Sequence, residues 1–113
     1  MMAYSEYLAE RVEEALRAQG AVPIAQRLFG GLGYMVAGKL RMGVVGEEIL
    51  VRLDPALGDT PLERPGCRVM DLTGRRMRGW FLLEGGEAED DQTLAYWVGE
   101  CLRYNPQAPK RRP

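Results

Sequence analysis

The middle of the chain, from residue 21 to residue 54, alternates short apolar runs with closely spaced glycines. The dipeptides Ala37-Gly38 and Gly46-Glu47 each separate two such runs, and glycine supplies the positive φ that a tight hairpin turn requires. Short apolar runs separated by glycine turns favour antiparallel strands, each paired with the next strand in the chain. It predicts an antiparallel meander with strands over 24–29, 33–36, 39–45 and 48–53.

Amphipathic helices are predicted on both sides of the meander. Residues 4–19 repeat apolar side chains at three- and four-residue spacing, and Ser5 can cap the start. Residues 91–104 show the same period, with Asp90 or Asp91 as the capping residue. Both helices can therefore place one apolar face on the sheet.

The segment between the meander and the last helix completes the predicted order. Residues 55–66 hold three prolines, which predict a short helix or an irregular connection. Residues 67–72 and 77–83 predict two strands joined by a turn at Thr73-Gly74. Hairpin-connected strands with helices at both ends indicate an α+β fold, an antiparallel sheet flanked by helices.

The length of 113 residues suits one domain. No repeat or linker divides the chain, so residues 4–105 are expected to form a single domain. Residues 106–113 are polar, proline-rich and basic, and they are expected to form a disordered tail. No apolar run approaches the ~18 residues of a membrane span, and no secretory signal is visible, so a cytoplasmic location is expected.

The residue types available for chemistry are few. The chain has no histidine and two cysteines, Cys67 and Cys101, which are 34 positions apart and are a poor metal site without histidine. No nucleophile–base pair that uses histidine can be assembled. We therefore expect no enzyme activity, no cofactor and no metal.

The stretch from Gly33 to Leu40 resembles the sequence motif of a phosphate-binding loop, because Gly38-Lys39 follows Gly33 at the spacing that the motif requires. Leu40 stands where a magnesium-binding Ser or Thr is required, and the predicted context is strand to strand rather than strand to helix. A hairpin turn explains Gly38-Lys39 better than a nucleotide site does.

The stretch Gly30-Gly31-Leu32-Gly33 lacks the third glycine and the helix of a dinucleotide fingerprint. It is interpreted as a bend or bulge where missing side chains let the backbone pass closely. The alternative is a small-molecule or enzymatic site built on the same bend, from Gly30 to Tyr34.

The stretch Arg75-Arg76-Met77-Arg78-Gly79-Trp80 combines a basic turn with an aromatic side chain. Three uses remain open: ion pairs within the fold, contact with a partner protein, or binding of phosphates together with a stacked base. The net charge of −1 gives no global attraction for nucleic acid.

Five short motifs occur in a fixed order along the chain: Arg27-Leu28-Phe29-Gly30-Gly31-Leu32-Gly33-Tyr34, Gly38-Lys39-Leu40, Leu50-Val51-Arg52-Leu53, Met77-Arg78-Gly79-Trp80, and Leu94 with Trp97-Val98. Together these motifs resemble the N-terminal domain of the TfoX/Sxy family of bacterial competence regulators and their stand-alone homologues. The resemblance spans about residues 5–105 and departs from the family at Leu28, usually methionine, and at Arg41, often an aromatic.

The resemblance implies a secretion-chaperone-like α+β fold in the order helix, three strands, helix, two strands, helix. It also implies a regulatory role, because full-length members promote expression of DNA-uptake genes together with the cyclic-AMP receptor protein. It brings no catalytic residues to this chain.

The resulting hypothesis is a non-enzymatic cytoplasmic binding or regulatory module. We expect it to bind a partner protein or a second copy of the chain, with nucleic acid as the alternative. We do not expect it to bind a membrane. The candidate partner-binding residues are Arg75, Arg76, Arg78, Trp80, Gly30, Gly31, Gly33, Tyr34 and Lys39.

Overall fold

The structure is a computed structural model that describes residues 4–28, 30–71, 74 and 76–104. It confirms the α+β class, with one six-stranded antiparallel sheet in the order β1-β2-β3-β4-β6-β5. The elements are α1 (Glu6–Ala18), β1 (Ile24–Leu28), β2 (Gly31–Val36), β3 (Lys39–Val45), β4 (Glu48–Arg52), β5 (Cys67–Val69), β6 (Trp80–Glu84) and α2 (Asp91–Tyr104).

The two predicted hairpin turns are confirmed. Ala37 and Gly38 join β2 to β3 with φ values of 53° and 79°, and two positive φ values are what a type I′ turn requires. Gly46, with φ of 58°, begins the two-residue turn between β3 and β4. These turns set the register of the central strands.

The prolines of residues 55–66 predict a short helix or an irregular connection, and the structure has two short 3-10 helices there, Pro55–Leu57 and Thr60–Glu63. Proline lacks the N–H that a longer helix needs, and Gly58 between them has φ of 57°, outside the helical region. Four strands precede this connection, as the glycine spacing predicts, and not the three that the resemblance implies.

Both helices lie on one face of the sheet and begin at side-chain caps. The Ser5 hydroxyl accepts a hydrogen bond from the backbone N–H of Leu8 at 3.2 Å. The Asp90 carboxylate accepts one from the N–H of Thr93 at 2.9 Å, so of the two predicted candidates, Asp90 and Asp91, Asp90 is the cap. The main core lies between this face and the helices; its largest members include Leu16, Tyr34, Met42, Ile49, Phe81 and Trp97.

A second apolar cluster covers the opposite face of the sheet. A bulge in β3 creates the change of side, because Tyr34 pairs with Met42 while Met35 pairs with Leu40, which leaves Arg41 as an extra residue. Met42 therefore joins the helix-side core and Leu40 joins the second cluster, whose buried members are Leu40, Leu50, Met70, Trp80 and Leu82.

Some of the predictions fall on residues outside the described ranges. These are the strand ends at Phe29 and Leu72, the turn residue Thr73, the candidate Arg75, the domain boundary at residue 105, and the tail 106–113. Among the residues that are described, neither helix has the length and apolar character needed to cross a bilayer.

Candidate functional site

Basic side chains from two strands and one loop lie at the same end of the sheet. β3 begins at this end, β4 finishes there with Arg52, and β6 begins there with Trp80 opposite Arg52. The loop before β6 is fastened to the same end by a 2.7 Å hydrogen bond from the Leu53 N–H to the Gly79 carbonyl. We call Lys39, Arg52, Arg76 and Arg78 the basic end.

Arg76 and Arg78 are the exposed members of the basic end. Arg76 forms an ion pair with the Asp59 carboxylate, so one positive charge at this end is compensated within the fold. The two arginines border a shallow depression of about 190 Å³, lined by Pro55, Gly58, Asp59, Arg76, Arg78 and Gly79. Arg75 is outside the described residues.

Trp80 belongs to the second apolar cluster and is only 8% exposed. The guanidinium carbon of Arg52 lies 5.0 Å from the centre of its indole ring, a cation–π distance. Trp80 thus packs against the sheet and holds Arg52 in place. Its ring is not available as an open surface for a stacked base.

The glycine-rich group of candidates lies mostly elsewhere. Gly30 and Gly31 are at the opposite end of the sheet, where β2 begins beside the last residues of β3. Tyr34 is buried, and its hydroxyl donates a 2.9 Å hydrogen bond to the Ala9 carbonyl of α1. The structure therefore separates Gly30, Gly31 and Tyr34 from the arginines.

Close backbone packing explains Gly31, as expected from the sequence, whereas Gly33 is packed against side chains. The predicted bend is limited to the residues before β2, because β2 begins at Gly31 and not at Gly33. A Cβ on Gly31 would lie 2.2 Å from the Val44 carbonyl oxygen, and one on Gly33 would lie 2.8 Å from side-chain atoms of Leu28 and Leu40. Lys39 starts β3 directly after the Ala37-Gly38 turn, so no strand-to-helix phosphate loop forms there.

Arg41 was not among the candidates, yet it is the most unusual charged side chain in the described residues. It is fully buried, and its Nη1 donates one hydrogen bond of 3.3 Å to the Cys101 carbonyl near the end of α2. Its Nε and Nη2 have no hydrogen-bond partner among the residues that the structure describes. Burial lowers the pKa of Arg41 to about 10.

Only one signal in the sequence could have identified Arg41 as buried. The resemblance places an aromatic residue there in many family members, and an aromatic residue indicates an inward-facing position. The ring of Tyr104 now lies beside Arg41, 5.4 Å from its guanidinium carbon. The pair fills the space beneath the last turn of α2.

The two thiols are unsuited to nucleophilic chemistry at neutral pH. Burial raises the pKa of Cys67 to about 11 and that of Cys101 to about 12, so both stay protonated. In the described part of the chain, no three histidine, cysteine or acidic side chains cluster as a metal ion would require.

The raised thiol pKa values predict a loss of stability in alkali. Because the ordinary thiol pKa is 9.0, the unfolded chain releases these protons first, and stability is lost as pH rises through about 9 toward the folded-state values. Urea unfolding at about pH 8 and about pH 10 should show this fall. The fall should be smaller in Cys101→Ala; an equal fall in both proteins would contradict the assignment.

The family model of the TfoX N-terminal domain matches residues 12–104. No curated protein and no solved structure matches the chain significantly. The matched stretch runs from within α1 to the last residue of α2 and includes the basic end and the second apolar cluster. It also includes every buried member of the main core except Leu8 and Ala9. The chain therefore belongs to the TfoX N-terminal domain family.

Proposed function

We propose that this chain is a non-catalytic cytoplasmic binding module that acts in regulation through protein–protein contact. The observation that carries the proposal is the basic end, where two exposed arginines are held on a loop fastened to the sheet. Family membership supports the link to regulation of competence or transcription. The protonated thiols and the buried Tyr34 hydroxyl support a role without covalent catalysis.

The chemistry of the basic end favours an acidic protein surface as its partner. Arg78 and Arg76 are exposed, while Arg52 is half-buried and held against Trp80. Arginine donates several N–H groups in a fixed plane, which suits carboxylates presented by another protein. Charge complementarity of this kind speeds association and selects the partner's orientation.

Nucleic acid is the alternative that the same arginines leave open, because they could also contact phosphates. Two observations make it the weaker proposal. Trp80 is packed into the second cluster, which removes the stacking surface that a single strand would use. The net charge of −1 provides no long-range attraction for a phosphate backbone.

Binding to defined probes tests the proposal. Fluorescence anisotropy at about 50 mM salt would compare a labelled polyglutamate peptide with duplex and single-stranded DNA oligonucleotides. We expect the wild type to bind the acidic peptide better than either DNA. Arg78→Glu should weaken peptide binding roughly fivefold to tenfold, as expected when one exposed charge contact is reversed.

Arg17→Glu is the matched control, since Arg17 is also an exposed arginine but lies on α1, away from the basic end. It should bind like the wild type. Equal binding by Arg78→Glu and the wild type would contradict the proposal, and preferential binding of DNA would support the alternative. Circular dichroism would check that both variants keep the fold.

A further inference from the structure

The two lateral edges of the sheet differ in how they are protected. β5, at one edge, is three residues long, and its central residue Arg68 forms ion pairs with Glu48 and Asp71. β1, at the other edge, is five residues long and pairs regularly with β2 alone among the described strands. Natural sheets usually protect such an edge by charge, bulge or short length.

The exposed surface of β1 is apolar at the end where the chain enters it. Val22 and Ile24 are 70% and 67% exposed, the two largest values among the exposed large hydrophobic side chains in the described residues. Arg27 is the one charged residue of the strand. An unprotected strand with exposed aliphatic side chains is suited to pairing with another strand.

We propose that β1 pairs antiparallel with β1 of a second copy of this chain, in a register centred on Gln26, to form a continuous sheet across a two-fold axis. In this register Ile24 lies opposite Leu28 of the other copy, and Ala25 lies opposite Arg27. The two arginines do not face each other, so the like-charge repulsion of a self-paired Arg27 is avoided. The protected β5 edge limits the assembly to two copies.

Charge complementarity selects a second copy over a foreign strand. Tyr34 on β2 is paired with Ala25 on β1, and its hydroxyl donates to the Ala9 carbonyl of α1, one helical turn before Glu13. Residues that pair directly across strands share one face of the sheet. Arg27 of the second copy therefore lies on the same face, one strand beyond Ala25.

Between Arg27 of the second copy and Glu13 lies Ala25, whose small side chain does not block an approach of the two charged groups. Neighbouring strands are about 5 Å apart, so Arg27 of the second copy starts about 10 Å from β2 and points to the helix side. Its long side chain can cross Ala25 toward Glu13, which already accepts from Arg17 at 3.1 Å. The symmetric dimer makes this contact twice.

A pair of cysteine variants tests the register directly. Gln26→Cys places the two thiols directly opposite each other at the axis, within the Cα separation that a disulfide spans. Ala25→Cys is the matched control, because its two copies would lie on a diagonal about 7–8 Å apart. After mild oxidation, Gln26→Cys should give mainly covalent dimer and Ala25→Cys little. The wild type, with Cys67 and Cys101, gives the background.

Sedimentation analysis of reversible association tests the charge contact. Arg27→Glu should raise the dimer dissociation constant about tenfold or more, since two attractive contacts become repulsive. Adding Glu13→Lys to Arg27→Glu should recover most of the loss. A wild type that stays monomeric at about 500 μM would overturn the proposal. Equal cross-linking of the two cysteine variants would overturn the register.

Discussion

Gly31→Ala is expected to lower the free energy of unfolding by about 3 kcal/mol or more, enough to unfold a marginally stable domain. The new Cβ would lie 2.2 Å from the Val44 carbonyl oxygen and 3.1 Å from the Val45 Cα. Both atoms are backbone atoms of the neighbouring strand, which cannot move away without breaking its pairing with β2 and β4. Urea unfolding followed by circular dichroism measures the loss.

Gly30→Ala is the matched control, one residue earlier in the chain. Gly30 has φ of 76° and an added Cβ would meet nothing within 4 Å, so the cost is the left-handed backbone alone, about 1 kcal/mol. The two substitutions add the same methyl group at adjacent positions. If Gly31→Ala is no more destabilising than Gly30→Ala, close strand packing is not the reason for glycine at position 31.

The features of the fold that could be predicted are those set by local chemistry. Ala37-Gly38 and Gly46-Glu47 define turns because few residues adopt a positive φ. An aspartate cap at 90 or 91 follows from the place of these residues before an apolar repeat, and the structure shows that Asp90 is the cap. The connection after β4 was harder to predict. Prolines at 55 and 61 permit a first helical turn, so the sequence could not distinguish a short helix from 3-10 turns.

The candidate site depended on tertiary contacts that no local pattern reports. The Arg76 ion pair joins residues 17 positions apart, and Trp80 is buried by a second apolar cluster that forms only when the sheet is complete. The bulge at Arg41 places Leu40 and Met42 on opposite faces of the sheet. In a regular strand, residues two positions apart share a face, so the alternation of side chains in the sequence predicts the wrong face for one of them. The location of the basic residues was predictable, but their exposure and partners were not.

Arg41→Met is expected to raise the free energy of unfolding, by roughly 1–3 kcal/mol. The buried guanidinium loses its hydration on folding, and it recovers one long hydrogen bond to Cys101 and the face of the Tyr104 ring. No carboxylate in the described residues forms an ion pair with it. Methionine has a similar length, no charge to desolvate and enough flexibility to fill the site.

Arg41→Lys is the control that keeps the charge while it removes the planar guanidinium. It should be less stable than the wild type, because an ammonium group is more strongly hydrated and stacks less well on Tyr104. Urea unfolding at neutral pH would rank the three proteins as Met above Arg above Lys. If Arg41→Met is the least stable of the three, the contacts of the guanidinium with Cys101 and Tyr104 outweigh its loss of hydration, and the buried arginine stabilises the fold.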